Sequence, residues 1–482
     1  MKYSHNQIKN IVLEIEKMFP VDEWIVHGIH IWPNIRFQLY FDLLSAKSNS
    51  LESPHPKTFK KPSFIWLIYV KLSDLINYLY FKATLTQKDI LFMGLSMHRV
   101  QFKGARYQRF FDPILEDFPD IKALHFELDE LKNPYNKSSV SLSLLLKAYY
   151  WKNKFLKTII ENSQNEVELH LPDFENFETY LKSQEWYQKG FTIDKTYWIN
   201  WARKVRFKSQ FFNSVLRKAK PRQLIMSSYY GFENTAAAIY AAKQLGVTSI
   251  DFQHGPQSNT HLAYSYWSKV PAAGFNTMPD NYWCWDEISA NDINLWNDKK
   301  VAQPAGNTWL QHTLGNKNYS PNTICYSLQV LNNENVTYFF NENLIKEIKS
   351  SPYHWVLRLH PRTVWGELEL RNFLNSNNIE NSNFDIETAQ QSPLVDTLLN
   401  ARVHITNFSG VLIEASQLGI PNVIIDEAGK TIFNAYLNNP KTVFISKTDP
   451  EFSSRLDNFL NDMNVDANLR LGKVRNPLEI FT

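Results

Sequence analysis

Serine, histidine and carboxylate side chains that suit phosphate chemistry stand at a few apolar-to-polar transitions of this chain. The fullest example is Ala401 to Asp426, ARVHITNFSGVLIEASQLGIPNVIID. It reads as an apolar strand, a short polar loop, a helix, a Gly-Ile-Pro turn and a second apolar strand. The loop Thr406-Asn407-Phe408-Ser409-Gly410 falls where the strand ends and the helix begins. Free backbone N–H groups and the positive end of the helix dipole would receive an anion there. Ser409, with the amides of Gly410 and Val411, would hold a phosphate. Glu414, a little over one turn further on, would accept from ribose hydroxyls. The plain alternative is an N-cap serine followed by an ordinary exposed glutamate.

A second tip lies upstream, where the apolar run Trp355 to Leu359 ends in His360-Pro361-Arg362. The histidine would donate to a phosphate oxygen or stabilise a leaving phosphate, Pro361 would fix the turn, and Arg362 offers a fork suited to phosphate. Ser327-Leu328-Gln329 forms a weaker third tip, with Gln329 facing the same cleft. Together these tips imply a phosphate-bearing ligand, most simply a nucleotide.

The first half of the chain carries a different set. Gln253-His254-Gly255 ends a strand, and His254 is a candidate general base or acceptor ligand. His261 and Tyr264 follow. In the loop Tyr229 to Asn234, Glu233 is a candidate base or nucleophile, or equally a first-turn acid satisfying a helix dipole. His98, Arg99, Arg106, Tyr107 and Asp112 form a basic-aromatic loop. Arg99, Arg106, Tyr107 and His261 are the candidate acceptor-binding residues; the competing view of the loop is a solvated charged segment.

Alternating strands and helices must position these tips. Asp89 to Gly94, Gln223 to Ser227, Val247 to Phe252 and Asn281 to Trp285 read as strands in the first half. Thr323 to Ser327, Trp355 to Leu359, Arg402 to Ile405, Asn422 to Ile425 and Thr442 to Ile445 read as strands in the second. This alternation predicts an α/β fold of parallel sheets covered on both faces. The expected organisation is a helical N-terminal extension over 1–85 and a Rossmann-like domain with helical insertions over 86–300. A second Rossmann-like domain over 301–465 and a tail over 466–482 complete it. A polar stretch near 286–320 serves as the linker. Ligands in such folds sit beyond the carboxyl ends of the strands.

The bulk numbers exclude several classes. The 482 residues exceed one core. A net charge of +3 makes a nucleic-acid partner unexpected. Aromatic residues reach 14%, with 14 Trp, which suits a carbohydrate surface but more simply an aromatic core. Cys284 and Cys325 lie in apolar runs, as buried thiols of a reducing cytoplasm would. The N-terminus lacks a signal-peptide core. The most apolar stretch, Phe64 to Phe81, is interrupted by Lys71 and Asp74, too polar for a span. It is read as a helix buried between domains, with an interfacial membrane helix as the alternative. No GxxxxGK[ST] loop, GxGxxG fingerprint, CxxC, HExxH or convincing Asp-x-Asp motif occurs, so no metal and no cofactor are expected.

On the residues IDFQHG (Ile250 to Gly255), LRLHPR (Leu357 to Arg362), TNFSGVLIEASQLGIPNVI (Thr406 to Ile424) and VAQPAGNTWL (Val301 to Leu310), the chain resembles GT-B glycosyltransferases of bacterial surface-polysaccharide assembly. The His-Pro plus Ser pairing is similar to that of transferases using CMP-activated acidic sugars, and also to CDP-polyol phosphotransferases of teichoic-acid assembly. The resemblance implies two Rossmann-like domains facing a cleft. It places His360 and Ser409 on the donor phosphate and Glu414 on the ribose. The implied partners are a nucleotide-sugar donor and a glycan or lipid-linked glycan acceptor of capsule or O-antigen type. The implied location is cytoplasmic, with any membrane contact peripheral, at the inner face of the inner membrane. Ser409 is followed by Gly410 rather than a second serine, and no acidic-acidic-glycine base motif appears. The SGxxxEAxxxGxP pattern is also reminiscent of UDP-GlcNAc 2-epimerases.

Overall fold

The computed structural model describes the chain except for residues 1–2, 46–63, 103, 129–133, 137, 156–167, 188–192, 298, 316–318, 330–335, 361–362, 364, 389–391, 464–470, 472–473 and 482. Pro361 and Arg362 therefore lie outside the described residues.

Two parallel sheets dominate. The first has seven strands, in the order Ala302–Pro304, Asn281–Cys284, Thr248–Phe252, Gln223–Met226, Ile90–Gly94, Ala123–Glu127, Ser139–Ser141. The second has six, in the order Phe384–Thr388, His354–Leu359, Thr323–Ser327, Ala401–Thr406, Asn422–Ile424, Thr442–Phe444. Every neighbouring pair in both sheets is parallel. Both sheets are doubly wound: the earliest strand lies inside, and the chain builds outward from it in both directions. The architecture is α/β with two Rossmann-like domains, the GT-B arrangement. The central strands are buried along their length, as covered parallel strands must be.

Three parts differ from the sequence expectation. Ala302–Pro304, assigned above to the second domain, pairs with Asn281–Cys284 and closes the edge of the first sheet. The crossing to the second sheet follows it, through the helix Thr308–Leu314. Asn307 accepts from the Leu310 amide at 3.1 Å, which explains the Gly-Asn-x-x-Leu spacing as a helix cap. The C-terminal residues also return: Gln223 donates to the carbonyls of Pro477 and Phe481 at 2.7 and 3.2 Å, which ties the end of the chain to the first sheet.

The third difference is the N-terminal segment, which shares the first domain's core rather than standing apart. It contains the hairpin Ile25–Val26 and Ile29–His30, which pairs with Leu169–His170. Glu16 and Arg36 form an ion pair at 2.8 Å with both side chains fully buried. Glu16 also accepts from Trp32 Nε1 and the Ser268 amide, each at 3.0 Å. Arg36 donates to the carbonyls of Ser265 and Tyr266 at 3.0 and 2.8 Å and lies 4.1 Å from the Trp267 ring centre. The extension thereby holds the loop that carries His261.

The helix Phe64–Thr84 is not buried between domains. Tyr78 and Phe81 pack on the first core. Leu72, Ile76, Leu79 and Tyr80 face outward, each more than half exposed. Among the described residues no helix is long and apolar enough to cross a membrane.

Breaking one member of a fully buried pair leaves an uncompensated charge, at a cost of about 3–5 kcal/mol. Glu16→Gln is expected to lower unfolding stability by about that amount, read as a lower urea midpoint at unchanged slope. A midpoint within error of the parent would show that the pair does not hold the extension.

Candidate active site at the facing switch points

Each sheet has one place where its winding reverses, and a crevice opens there beyond the strand ends. In the first sheet it lies between Ile90–Gly94 and Gln223–Met226; in the second, between Thr323–Ser327 and Ala401–Thr406. The loops that leave these strands are the ones carrying Ser96 to Arg99, Ser227 to Tyr230, Leu328-Gln329 and Asn407 to Gly410.

On the first domain the crevice is lined by imidazoles and phenols. His98 Nδ1 lies 3.0 Å from Ser227 Oγ. The His98 ring centre is 5.5 Å from that of His254. The Tyr230 hydroxyl stands 3.3 Å from His254 Nε2. His261 is packed among Tyr40, Tyr230 and Tyr264, with ring centres 5.1, 5.2 and 5.0 Å away. Burial pulls the His261 pKa down to about 3, with His254 and His5 adding to the shift. His261 is therefore a neutral hydrogen-bonding ring at ordinary pH. Tyr40 comes from the helix Trp32–Ser45, whose Phe37 stacks against Tyr230 at 4.5 Å, so the extension builds part of the lining.

On the second domain, Ser409 is buried in the strand-to-helix turn. Its amide donates to Thr406 Oγ1 at 2.9 Å, and its hydroxyl accepts from the Val411 amide at 3.4 Å. The oxygen thus serves the helix, as in the plain alternative above, while its proton remains available to a ligand. The helix is only Val411–Gln417. Glu414 is half-buried on that helix; burial raises its carboxyl pKa, and Arg109 and Arg358 oppose the shift. His360 and Gln329 are half-buried at the carboxyl ends of their strands.

The loop itself is held rigidly. Asn407 is fully buried, and its Oδ1 accepts from the Tyr326 hydroxyl at 2.6 Å. Gly429 presses so closely that a Cβ there would sit 1.8 Å from the Asn407 carbonyl oxygen. Beneath the loop, His404 bridges Ser327 Oγ and Asn422 Oδ1, both at 2.7 Å. Burial lowers its pKa to about 4.

The two crevices face each other. A Cβ on Gly410 would lie 3.1 Å from Pro256 Cδ, so the loop after Thr406 meets the loop after Phe252. Gln417 donates to the Trp285 carbonyl at 2.8 Å, and the Tyr436 hydroxyl to Asp286 Oδ2 at 2.7 Å. Phe252, Trp283 and Trp285 of the first domain share one apolar cluster with Phe408, Leu412 and Phe433 of the second.

Several expected site residues stand elsewhere. Arg99 is fully buried and paired with Glu127 at 2.6 Å, because the neighbouring strand carries an internal carboxylate. Tyr107 is fully buried and stacks on His312 at 5.5 Å. Neither presents its polar group to a ligand, which corrects the acceptor assignment for both. Arg106 reaches back to the Ser96 carbonyl at 3.4 Å from the hairpin strand Ala105–Gln108. Glu233 opens the helix Glu233–Gln244 and is bridged by Lys204 and Lys208 at 3.3 and 2.6 Å. Those pairs leave the first-turn-acid reading as its observed role. The sequence reading did not single out Tyr230, Asn407 or Arg109; the signal for each is its place one to four residues past a strand end. Cys284 and Cys325 are free, buried thiols. No group of three or more His, Cys, Asp or Glu side chains that could hold a metal ion occurs among the described residues.

No family model matches the chain, and no curated protein matches it. Among solved structures, it is similar to UDP-GlcNAc 2-epimerase from Neisseria meningitidis bound to UDP-GlcNAc. That match has a TM-score of 0.44 and 12% identity and covers 77% of this chain and 91% of that one. The epimerase from Methanocaldococcus jannaschii, in complex with UDP-GlcNAc and UDP, gives 0.42 and 13%, over 80% and 96%. The wall teichoic acid polymerase TagF gives 0.37 and 10%, over 82% and 89%. The architecture of this chain stands on its own strand order.

Gly429→Ala tests the loop's support. Overpacking of this kind costs about 1–3 kcal/mol, and the melting temperature is expected to fall accordingly. An unchanged melting temperature would mean that the Asn407 turn yields freely.

Proposed function

We propose that this protein is a metal-independent glycosyltransferase that moves a sugar from a nucleotide-activated donor, a CMP-sugar by preference, to a growing surface glycan. The single observation that carries the reading is the meeting of the second sheet's switch-point loop with the loop after Phe252, whose strand lies next to the first sheet's switch point. Ser409-Gly410 stands against Pro256, and imidazoles line the first-domain side. One side would hold the donor, the other the acceptor.

In this reading Gln329, His360, Pro361, Arg362, Ser409 and Glu414 hold the donor. His360 and the Ser409 hydroxyl donate to the phosphate as the glycosyl C–O bond breaks, and so stabilise the charge that develops on it. His254 takes the proton of the attacking acceptor hydroxyl as the new C–O bond forms. The Tyr230 hydroxyl beside His254 Nε2 orients that ring. Glu233 is not given the base role, since two lysines hold it. The outward apolar face at Leu72, Ile76, Leu79 and Tyr80 supports a peripheral contact with a bilayer that carries a lipid-linked acceptor.

A thermal-shift series with CMP, CDP, UDP and GDP tests the donor site, because a ligand that binds only the native state stabilises it by mass action. A shift with CMP is expected; no shift with any nucleotide would sink the proposal. Turnover of CDP-glycerol but not of CMP-sugars would establish the rival polyol-phosphate transferase. Conversion of UDP-GlcNAc without an acceptor would establish an epimerase. Where transfer is found, His254→Gln is expected to lower kcat by about 10²–10⁴-fold with KM little changed. Wild-type turnover in that variant would remove the base assignment. Binding to anionic vesicles is expected to weaken in Ile76→Glu; equal co-sedimentation of both proteins would dismiss the membrane contact.

A further inference from the structure

The Arg109 side chain makes no hydrogen bond or ion pair among the described residues. A guanidinium carries five donors in a fixed fork and keeps its charge at any ordinary pH. Its Nε is enclosed by protein and has no partner. Its guanidinium carbon lies 4.7 Å from the centre of the Phe110 ring. By contrast, Arg36, Arg99 and Arg358, the other enclosed arginines described above, all have carboxylate partners. Arg109 as a whole is half-buried, so this one donor is shut away from water without a partner while the residue keeps some exposure.

Its position is informative. The Arg109 amide donates to the His98 carbonyl at 3.3 Å, so the residue runs beside the imidazole-lined crevice of the first domain. Across the domain boundary, Glu414 acts on its charge, from the helix that follows Ser409. That glutamate is too far for an ion pair, and burial disfavours its own ionised form. The cleft therefore holds an unsatisfied fork on one wall. On the other wall are a serine hydroxyl and a carboxylate that does not neutralise it. An oxyanion between them would satisfy the guanidinium.

We propose that Arg109 is an anion-binding residue of the interdomain cleft, and that it engages the phosphate of the nucleotide-activated donor from the first-domain side. This rests on the reading given under Proposed function and adds to it a residue outside the nucleotide-binding domain. A donor gripped from both walls would also tie the two domains together when it binds.

The test compares wild-type protein with Arg109→Met and Arg109→Lys, using CMP, CDP, UDP and inorganic pyrophosphate as probes. Methionine keeps the volume and removes the charge. Without ligand, Arg109→Met is expected to melt at the wild-type temperature or above, because it removes a half-buried cation whose enclosed Nε has no protein partner. With nucleotide, it is expected to bind about ten- to a hundredfold more weakly, as loss of a charge-assisted hydrogen bond predicts. Arg109→Lys should fall between. A clear drop in unliganded melting temperature for Arg109→Met, or its failure to fold, would make the residue structural and overturn the proposal. Nucleotide affinity equal to wild type would also overturn it while leaving the donor reading intact. Pyrophosphate binding that depends on Arg109, with no nucleotide bound by wild type, would keep the anion site and sink the donor reading. No phosphate bound by wild type would overturn both.

Discussion

The apolar seam between the two domains is the constraint on which the rest of the structure depends. Phe252, Trp283 and Trp285 at the carboxyl ends of the first sheet pack in one cluster with Phe408, Leu412 and Phe433 of the second. Large aromatic side chains bury much area at such contacts. Here Phe252, Trp283, Trp285 and Phe408 also fix direction, because each stands at or near the carboxyl end of a parallel strand. Two hydrogen bonds, from Gln417 to the Trp285 carbonyl and from Tyr436 to Asp286, set the register of one domain on the other. The strand ends of both sheets are therefore aimed at one space. Without that seam, the polar tips would be unrelated turns on two surfaces.

Support reaches the cleft from three further directions. The N-terminal extension, locked by the buried Glu16–Arg36 pair, holds the loop of His261 and contributes Tyr40 and Phe37 to the lining. The C-terminal residues return to Gln223 at the base of a central strand. Under the Asn407 loop, a histidine kept neutral by burial ties Ser327 to Asn422. Each of these places polar groups inside the fold and supplies partners for most of them, as buried polar groups require. The guanidinium of Arg109 differs in having no hydrogen bond or ion pair at all among the described residues.

The central strands were legible in the sequence because covered parallel strands are continuous apolar runs, as in ILFMG and TICYS. The loops that follow them were legible for the same reason: they begin where those runs stop. Ala123–Glu127 and Phe384–Thr388 were not recognised as strands. Each carries acids or a histidine that interrupt the run, and only the fold shows that Glu127 meets Arg99 and Glu387 meets Arg358. The same pairing misled the reading of Arg99, whose charge resembles that of a ligand-binding loop until its partner is seen. Arg109 was passed over for the converse reason: a basic residue in a polar loop reads as solvated, and the carboxylate that acts on its charge, Glu414, lies about 300 residues away in sequence. The exposed face of Phe64–Thr84 was hidden by composition alone, since buried and exposed turns of that helix are equally apolar.

The central claim is that the strand ends of both domains that face across the seam serve one ligand. Hydrogen–deuterium exchange on the protein with and without its best-binding nucleotide tests this most directly, because amide protection reports local opening segment by segment. The account predicts that added nucleotide slows exchange in Asn407 to Val411 and in Gln253 to Gly255 together, on opposite sides of the seam. Protection confined to one domain, with the other unchanged at saturating ligand, would contradict it.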